Sequence, residues 1–95
     1  MPKLKYSQAD VVFRDLIKKL RLSKNLTQAD LAKRLGVPQS YVSKYETGER
    51  RLDFPEMAVI CDAIGISLSQ FVVLYEHHRS LIPKATSKHL PGALK

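Results

Sequence analysis

The segment GVPQSYVSKYETGERR, Gly36 to Arg51, contains too few apolar residues to be explained by core packing alone. A glycine and a proline open it, short polar residues and two tyrosines follow, and two arginines close it. On a wheel of about 100° per residue, Val42, Tyr45 and Glu46 lie on one side of a helix. The segment is therefore predicted to form a helix that packs into the core on one side and presents the other side to a partner.

The outward side of this helix combines small hydroxyls with one long cation. It consists of Ser40, Ser43, Lys44 and Thr47, with Gln39 and Tyr41 at its edges. Exposed helix faces usually favour long Glu, Lys and Arg side chains, whereas Ser and Thr are indifferent helix formers. Short side chains allow close approach, and Gln, Ser and Lys can bond base edges and phosphates. The face favours nucleic-acid contact over the alternative of an ordinary solvated surface.

Repeated start and stop signals predict the surrounding helices. A capping side chain stands three residues before an acid or amide at Ser7–Asp10, Thr27–Asp30, Asp53–Glu56 and Ser67–Gln70. Apolar spacing and terminal glycines predict helices over residues 8–24, 28–35, 39–47 and 54–64. A fifth helix begins after Ser67 and must end before Pro83. The chain is therefore predicted to be all-α, with five helices.

Length and composition indicate one small globular domain. The chain has 95 residues, of which 44% are hydrophobic and 26% are charged. No apolar run approaches the roughly 18 residues of a membrane span, and the first residues lack the apolar region of a signal peptide. Cys61 is the single cysteine, which excludes an internal disulfide and a cysteine-based zinc site. We expect a cytoplasmic protein with no membrane partner.

The charge is distributed unevenly along the chain. Residues 1–51 carry 12 Lys and Arg against 5 Asp and Glu, a net charge of +7. Residues 52–76 carry 4 acidic residues and no basic ones, and residues 77–95 carry 4 basic residues and no acidic ones. A basic half beside an acidic segment fits a polyanionic partner, although solubility alone is the simpler explanation.

A longer segment, LTQADLAKRLGVPQSYVSKYETGE from Leu26 to Glu49, resembles the helix-turn-helix of the Cro/Xre-type phage-repressor family. The shared features are Thr27-Gln28, Leu31-Ala32, Leu35-Gly36-Val37, Gln39-Ser40, Val42, and Glu46 followed by Gly48. The similarity extends over residues 16–71. It implies a five-helix bundle with the helix-turn-helix at helices two and three, and helix three in the DNA major groove. We expect residues 1–76 to form the DNA-binding domain. Residues 77–95 would form the end of an extended helix five and a mobile basic tail.

The resemblance assigns roles to matching positions. The base-reading residues are Gln39, Ser40, Lys44 and their neighbour Ser43; the DNA-backbone residues are Gln28, Tyr41, Thr47, Arg50 and Arg51. Arg21 and Glu46 match a structural ion pair between helices one and three. The chain departs from the family pattern at two places. Pro38 replaces a capping Ser or Thr, and Tyr45 replaces an aliphatic residue, so its hydroxyl is expected at the domain edge.

The sequence gives no indication of an enzyme, a metal site or a cofactor. It contains no Gly-rich phosphate loop and no nucleophile elbow. His77 and His78 are adjacent, so on a helix they point in different directions and do not form a metal-binding set. Cys61 falls on the apolar stripe of helix four, which favours core packing over reactivity.

Helix five carries more apolar residues than a small core requires. Leu68 and Phe71 are expected to close the core, whereas the surplus comprises Val72, Val73, Leu74, Tyr75, Leu81 and Ile82. The surplus predicts a homodimer through helix five, which would read a palindromic site. A helix folded back on its own core is the alternative.

We expect a sequence-specific regulator of transcription that acts on double-stranded DNA, most simply as a repressor. The alternative is an antitoxin or adaptor whose C-terminal helix binds another protein. An RNA-binding module is disfavoured because the paired aromatic residues of RNA platforms are missing.

Overall fold

The computed structural model describes residues 8–81, which form five α-helices. They are α1 (Gln8–Ser23), α2 (Gln28–Leu35), α3 (Gln39–Thr47), α4 (Phe54–Ile64) and α5 (Leu68–Arg79). The predicted all-α fold is confirmed, and the predicted bounds hold apart from the end of α1, which lies one residue earlier. The cap at Ser7, the apolar residue Ile82 and the basic tail lie outside the described residues.

Capping boxes begin three of the helices. The side chains of Thr27, Asp53 and Ser67 accept from the backbone N–H three residues later, and the acid or amide there accepts from the backbone N–H of the capping residue. Each box therefore satisfies two amide groups that a helix start leaves free. α3 differs, because Pro38 precedes it and contributes no side-chain cap.

The core lies where the five helices meet. α3 packs against α1 and α2, α4 packs against α2 and α5, and α5 packs against α1. The buried apolar residues are Leu16, Ile17, Leu26, Leu31, Ala32, Val42, Tyr45, Met57, Ile60, Cys61, Ile64 and Phe71. The predicted packing role of Cys61 is confirmed, and burial raises the pKa of its thiol to about 11. The core thus fixes the orientation of α3 through its buried residues Val42 and Tyr45.

Tyr45 corrects one expectation from the sequence. Its hydroxyl does not reach the domain edge, because the side chain is only 1% exposed and lies inside the core. Among the described residues the hydroxyl has no hydrogen-bond partner. Burial raises the pKa of the phenol well above its ordinary value. α3 packs against both α1 and α2, so the ring is enclosed and serves as an apolar anchor.

α5 corrects part of a second expectation. Leu74 and Tyr75 pack against the core rather than adding to an exposed surplus. The rings of Phe13, Phe71 and Tyr75 meet at centroid distances of 5.8–6.4 Å. Val73 remains 68% exposed. α5 therefore closes the core with one side. Its other side carries an exposed apolar strip that contains Val72 and Val73.

Within residues 8–81, no single helix is long and apolar enough to cross a membrane. In this part of the chain, α4 and α5 taken together reach such a length and composition, but they are bent by 105° relative to each other.

Candidate nucleic-acid interface

The turn between α2 and α3 sets the direction in which α3 leaves the core. Gly36 ends α2 with a left-handed backbone, φ 72°, which a residue with a β-carbon adopts only at a cost. The Val37 N–H donates to the Ala32 carbonyl at 3.0 Å, which closes the turn. Pro38 follows in an extended conformation, and α3 begins at Gln39. Three residues therefore connect α2 to α3, and the two helices pack against each other.

The outward side of α3 is the predicted one. Val42 and Tyr45 are 0% and 1% exposed and hold the inner side in the core. The reading face, as we call Gln39, Ser40, Ser43 and Lys44, consists of exposed side chains apart from the half-buried Ser43. Thr47 is also exposed, and its hydroxyl donates to the Lys44 carbonyl at 3.1 Å. The structure thus brings the four predicted base-reading residues together on one short polar surface.

The predicted ion pair joins α1 to α3 behind this face. The Arg21 Nε and Nη2 atoms donate to the two Glu46 carboxylate oxygens at 2.8 and 3.0 Å. Both side chains are almost fully buried, at 5% and 3% exposure. Arg21 also donates to the Leu26 carbonyl at 2.7 Å, which ties the end of α1 to the following turn. The bond to Glu46 raises the pKa of the Arg21 guanidinium, against the opposing effect of burial.

A polar chain connects this ion pair to the reading face. Gln28 donates from Nε2 to the Glu46 carboxylate at 3.0 Å, and its Oε1 accepts from Gln39 at 3.4 Å. The sequence did not reveal this link, because Gln28 and Glu46 are 18 residues apart on different helices. Gln39 is therefore positioned from the protein interior, through Gln28, as well as by its own helix.

The loop after α3 carries the two arginines that were predicted to contact the DNA backbone. Arg50 and Arg51 are both exposed. Arg51 lies 3.7 Å from an Asp10 carboxylate oxygen, so it leans against the start of α1. The backbone N–H of Arg50 donates to the Lys44 carbonyl at 3.1 Å, so the loop follows directly from the last turn of α3.

Tyr41 and Arg50 meet a residue that the sequence did not single out for this site. The Arg50 guanidinium lies over the Tyr41 ring, 4.6 Å from its centroid, and bonds to the carboxylate of Glu56. Tyr41 donates its hydroxyl to the same carboxylate at 3.2 Å. The role of Glu56 in the α4 capping box concealed this second role. The one sequence signal for this contact was the opposite charge of Glu56, which follows Arg50 by six residues.

This arrangement can recognise DNA by ordinary chemistry. A glutamine amide can pair with an adenine edge, and a lysine can donate to guanine, when a helix lies in the major groove. Hydroxyl groups such as that of Ser40 can bond bases or phosphates. The exposed arginines beyond the helix can contact phosphates without reading sequence.

The helix-turn-helix family profile matches residues 17–71, which is more than half of the chain and includes α2 and α3. The chain belongs to the Cro/Xre-type helix-turn-helix family. This family consists of DNA-binding transcription regulators, and the chain has its five-helix fold. A search of curated proteins gave no significant match.

Solved structures place this helix-turn-helix protein among regulators of the same fold. An XRE-family like protein from Pseudomonas syringae pv. tomato is 36% identical, with a TM-score of 0.72 over 85% of this chain and 95% of that one. A point mutant of the restriction-modification controller protein C.Esp1396I is 25% identical, with a TM-score of 0.74 over 81% and 98%. A C.Esp1396I tetramer in complex with its natural 35 base-pair operator is 28% identical, with a TM-score of 0.70 over 76% and 95%.

Proposed function

We propose that this helix-turn-helix protein is a sequence-specific repressor that inserts α3 into the major groove of double-stranded DNA. The observation that carries the proposal is the reading face, a short polar surface held outward by the buried anchors Val42 and Tyr45. The similarity to C.Esp1396I, whose tetramer was solved with its operator, supports a DNA partner. The protein would act in the cytoplasm, and it would repress transcription by occluding a promoter.

The proposed contacts fall into two classes. Gln39, Ser40, Ser43 and Lys44 read base edges, because they form the outward surface of α3. Contacts to the DNA backbone come from residues around its rim: Gln28, Tyr41, Thr47, Arg50 and Arg51. Arg21 and Glu46 stay inside and hold α3 against α1. Base contacts then give specificity, and backbone contacts give affinity and register.

Binding to labelled genomic fragments at about 50 mM and about 200 mM salt tests the proposal, because phosphate contacts lose affinity steeply over this range. We expect one fragment class to stay bound at the higher salt concentration, with a dissociation constant on the order of 10⁻⁸ M or tighter. Equal affinity for all fragments, lost together at the higher salt concentration, would contradict sequence-specific binding.

We further propose that the protein dimerises through the exposed side of α5. Val72 and Val73 are 41% and 68% exposed there, and Leu81 just beyond the helix is 69% exposed. Adjacent exposed apolar residues are typical of protein interfaces. A two-fold dimer would place two α3 helices about 34 Å apart, one turn of DNA, and would read a palindrome. A different protein on the same strip is the competing possibility and corresponds to the adaptor function.

The substitution Val73→Glu is expected to convert the dimer to a monomer, because it places a charge within the apolar strip. Sedimentation velocity measures the mass. Val11→Glu is the matched control, since Val11 is 49% exposed on α1, and it should leave the dimer intact. If the wild-type protein instead sediments as one copy bound to a different, copurifying protein, the result favours the adaptor function.

A further inference from the structure

Glu56 connects three elements at the rim of the reading face. Its Oε2 atom accepts from the Tyr41 hydroxyl of α3 at 3.2 Å and from the Arg50 guanidinium of the following loop. Its Oε1 atom accepts from the backbone N–H of Asp53 at 2.8 Å, within the capping box of α4. Both carboxylate oxygens are therefore engaged, which fixes the carboxylate in position.

The charge state of Glu56 follows from these bonds. The Asp53 N–H, then the Arg50 guanidinium and the Tyr41 hydroxyl, lower the pKa of the carboxyl group. The group is therefore ionised at neutral pH. A fixed negative charge stands beside Arg50, one of the two arginines proposed to contact the DNA backbone.

Arg50 is restrained by this charge and remains able to bind. Its guanidinium is held between the Tyr41 ring and the Glu56 carboxylate, and its side chain is 41% exposed. A guanidinium has five N–H donors, so donors remain for a phosphate. The neighbouring carboxylate offsets part of the attraction of Arg50 for any phosphate, so a phosphate gains a strong bond only where it meets the exposed guanidinium N–H groups directly. The arrangement therefore favours binding in one register along the DNA backbone over binding in other registers.

We propose that Glu56 is a specificity-determining residue that orients Arg50 and Tyr41 for one DNA register and weakens the attraction of Arg50 for phosphate in general. This inference rests on the proposed function. The carboxylate acts through its two partners and contacts no base. It would reduce binding to non-specific DNA more than binding to the preferred site, because only the preferred site aligns Arg50 with a phosphate.

The substitution Glu56→Gln tests the proposal, because the amide keeps an oxygen for the Asp53 N–H and removes the charge. We expect affinity for random-sequence duplex DNA to rise about threefold to tenfold, and the slope of log affinity against log salt to steepen by about 0.9 as Arg50 gains a phosphate contact. Affinity for the preferred site should rise less, so the specificity ratio falls. Fluorescence anisotropy on both duplexes gives the three values.

Asp53→Asn is the matched control. It removes the same charge from the same capping box, keeps a capping side chain, and alters no bond to Arg50. We expect it to change the specificity ratio by less than about twofold, because the exposed Asp53 side chain bonds to the Glu56 backbone N–H and not to Arg50 or Tyr41. An equal effect of Asp53→Asn and Glu56→Gln would overturn the proposal, because net charge alone would then explain the result.

A double substitution separates a role through Arg50 from a general effect on folding. In an Arg50→Ala background, Glu56→Gln should leave the salt slope unchanged and should lower the specificity ratio less than in the wild type, since only the bond to Tyr41 remains to be lost. The same change in both backgrounds would contradict the proposal. Failure of the wild-type protein to prefer any DNA site would instead refute the proposed function, which keeps the two failures distinct.

Discussion

Replacing Arg21 with alanine is expected to lower the free energy of unfolding by about 3–5 kcal/mol, because it leaves a buried carboxylate without its cationic partner. The Glu46 side chain is only 3% exposed, and both of its oxygens accept from Arg21. The substitution also removes the donor to the Leu26 carbonyl, at 2.7 Å. α1, the following turn and α3 would lose a shared connection.

Urea denaturation followed by far-UV circular dichroism measures this change. Lys19→Ala provides the control, because the Lys19–Asp15 pair is also 3.0 Å long but its side chains are 66% and 56% exposed. An exposed pair of this kind contributes at most about 1 kcal/mol. Arg21→Lys should give an intermediate loss, since lysine keeps the charge without the bidentate fork. Equal stability of the Arg21→Ala and Lys19→Ala variants would contradict a structural role for the buried pair.

Replacing Lys44 with alanine is expected to weaken binding to the preferred site about tenfold and to relax base preference at one position of each half-site. Lys44 is exposed on the reading face and supplies its only cation. Gln39→Ala should relax a different position, because Gln39 lies at the opposite end of the face. Arg51→Ala also removes one cation, but from the loop beyond α3. It should weaken all DNA alike and flatten the salt slope by about 0.9.

The helices could be predicted because their signals are local. Thr27, Asp53 and Ser67 each act within four residues, and Gly36 ends α2 through its own backbone conformation. The ion pair was predicted from the family resemblance. The wheel placed Glu46 on the inner side of α3 independently, because helical spacing alone determines which side a residue occupies.

Burial at the domain edge could not be predicted in this way. Tyr45 carries a hydroxyl that suggested an exposed position, but the packing of α3 against α1 and α2 encloses it. Leu74 and Tyr75 were counted as exposed surplus, yet they cover the core from α5. Enclosure depends on how helices distant in sequence pack together, and residue type alone does not specify that.

The side-chain links at the interface were unpredictable for the same reason. Gln28 reaches Glu46 across 18 residues, and Tyr41 reaches Glu56 across 15. The sequence located each of these residues on the correct helix. It did not show that two separate carboxylates, one buried and one at the rim, position the residues around the reading face.

Selection of preferred duplexes from a random pool, performed with the wild-type protein and with the Lys44→Ala variant, tests the central claim most directly. We predict that the wild-type protein enriches one two-fold symmetric site. The variant should enrich the same site with preference lost at one symmetric pair of positions. The claim that α3 reads DNA sequence would be contradicted if the wild-type protein enriched no site, or if both proteins enriched an identical site with equal affinity.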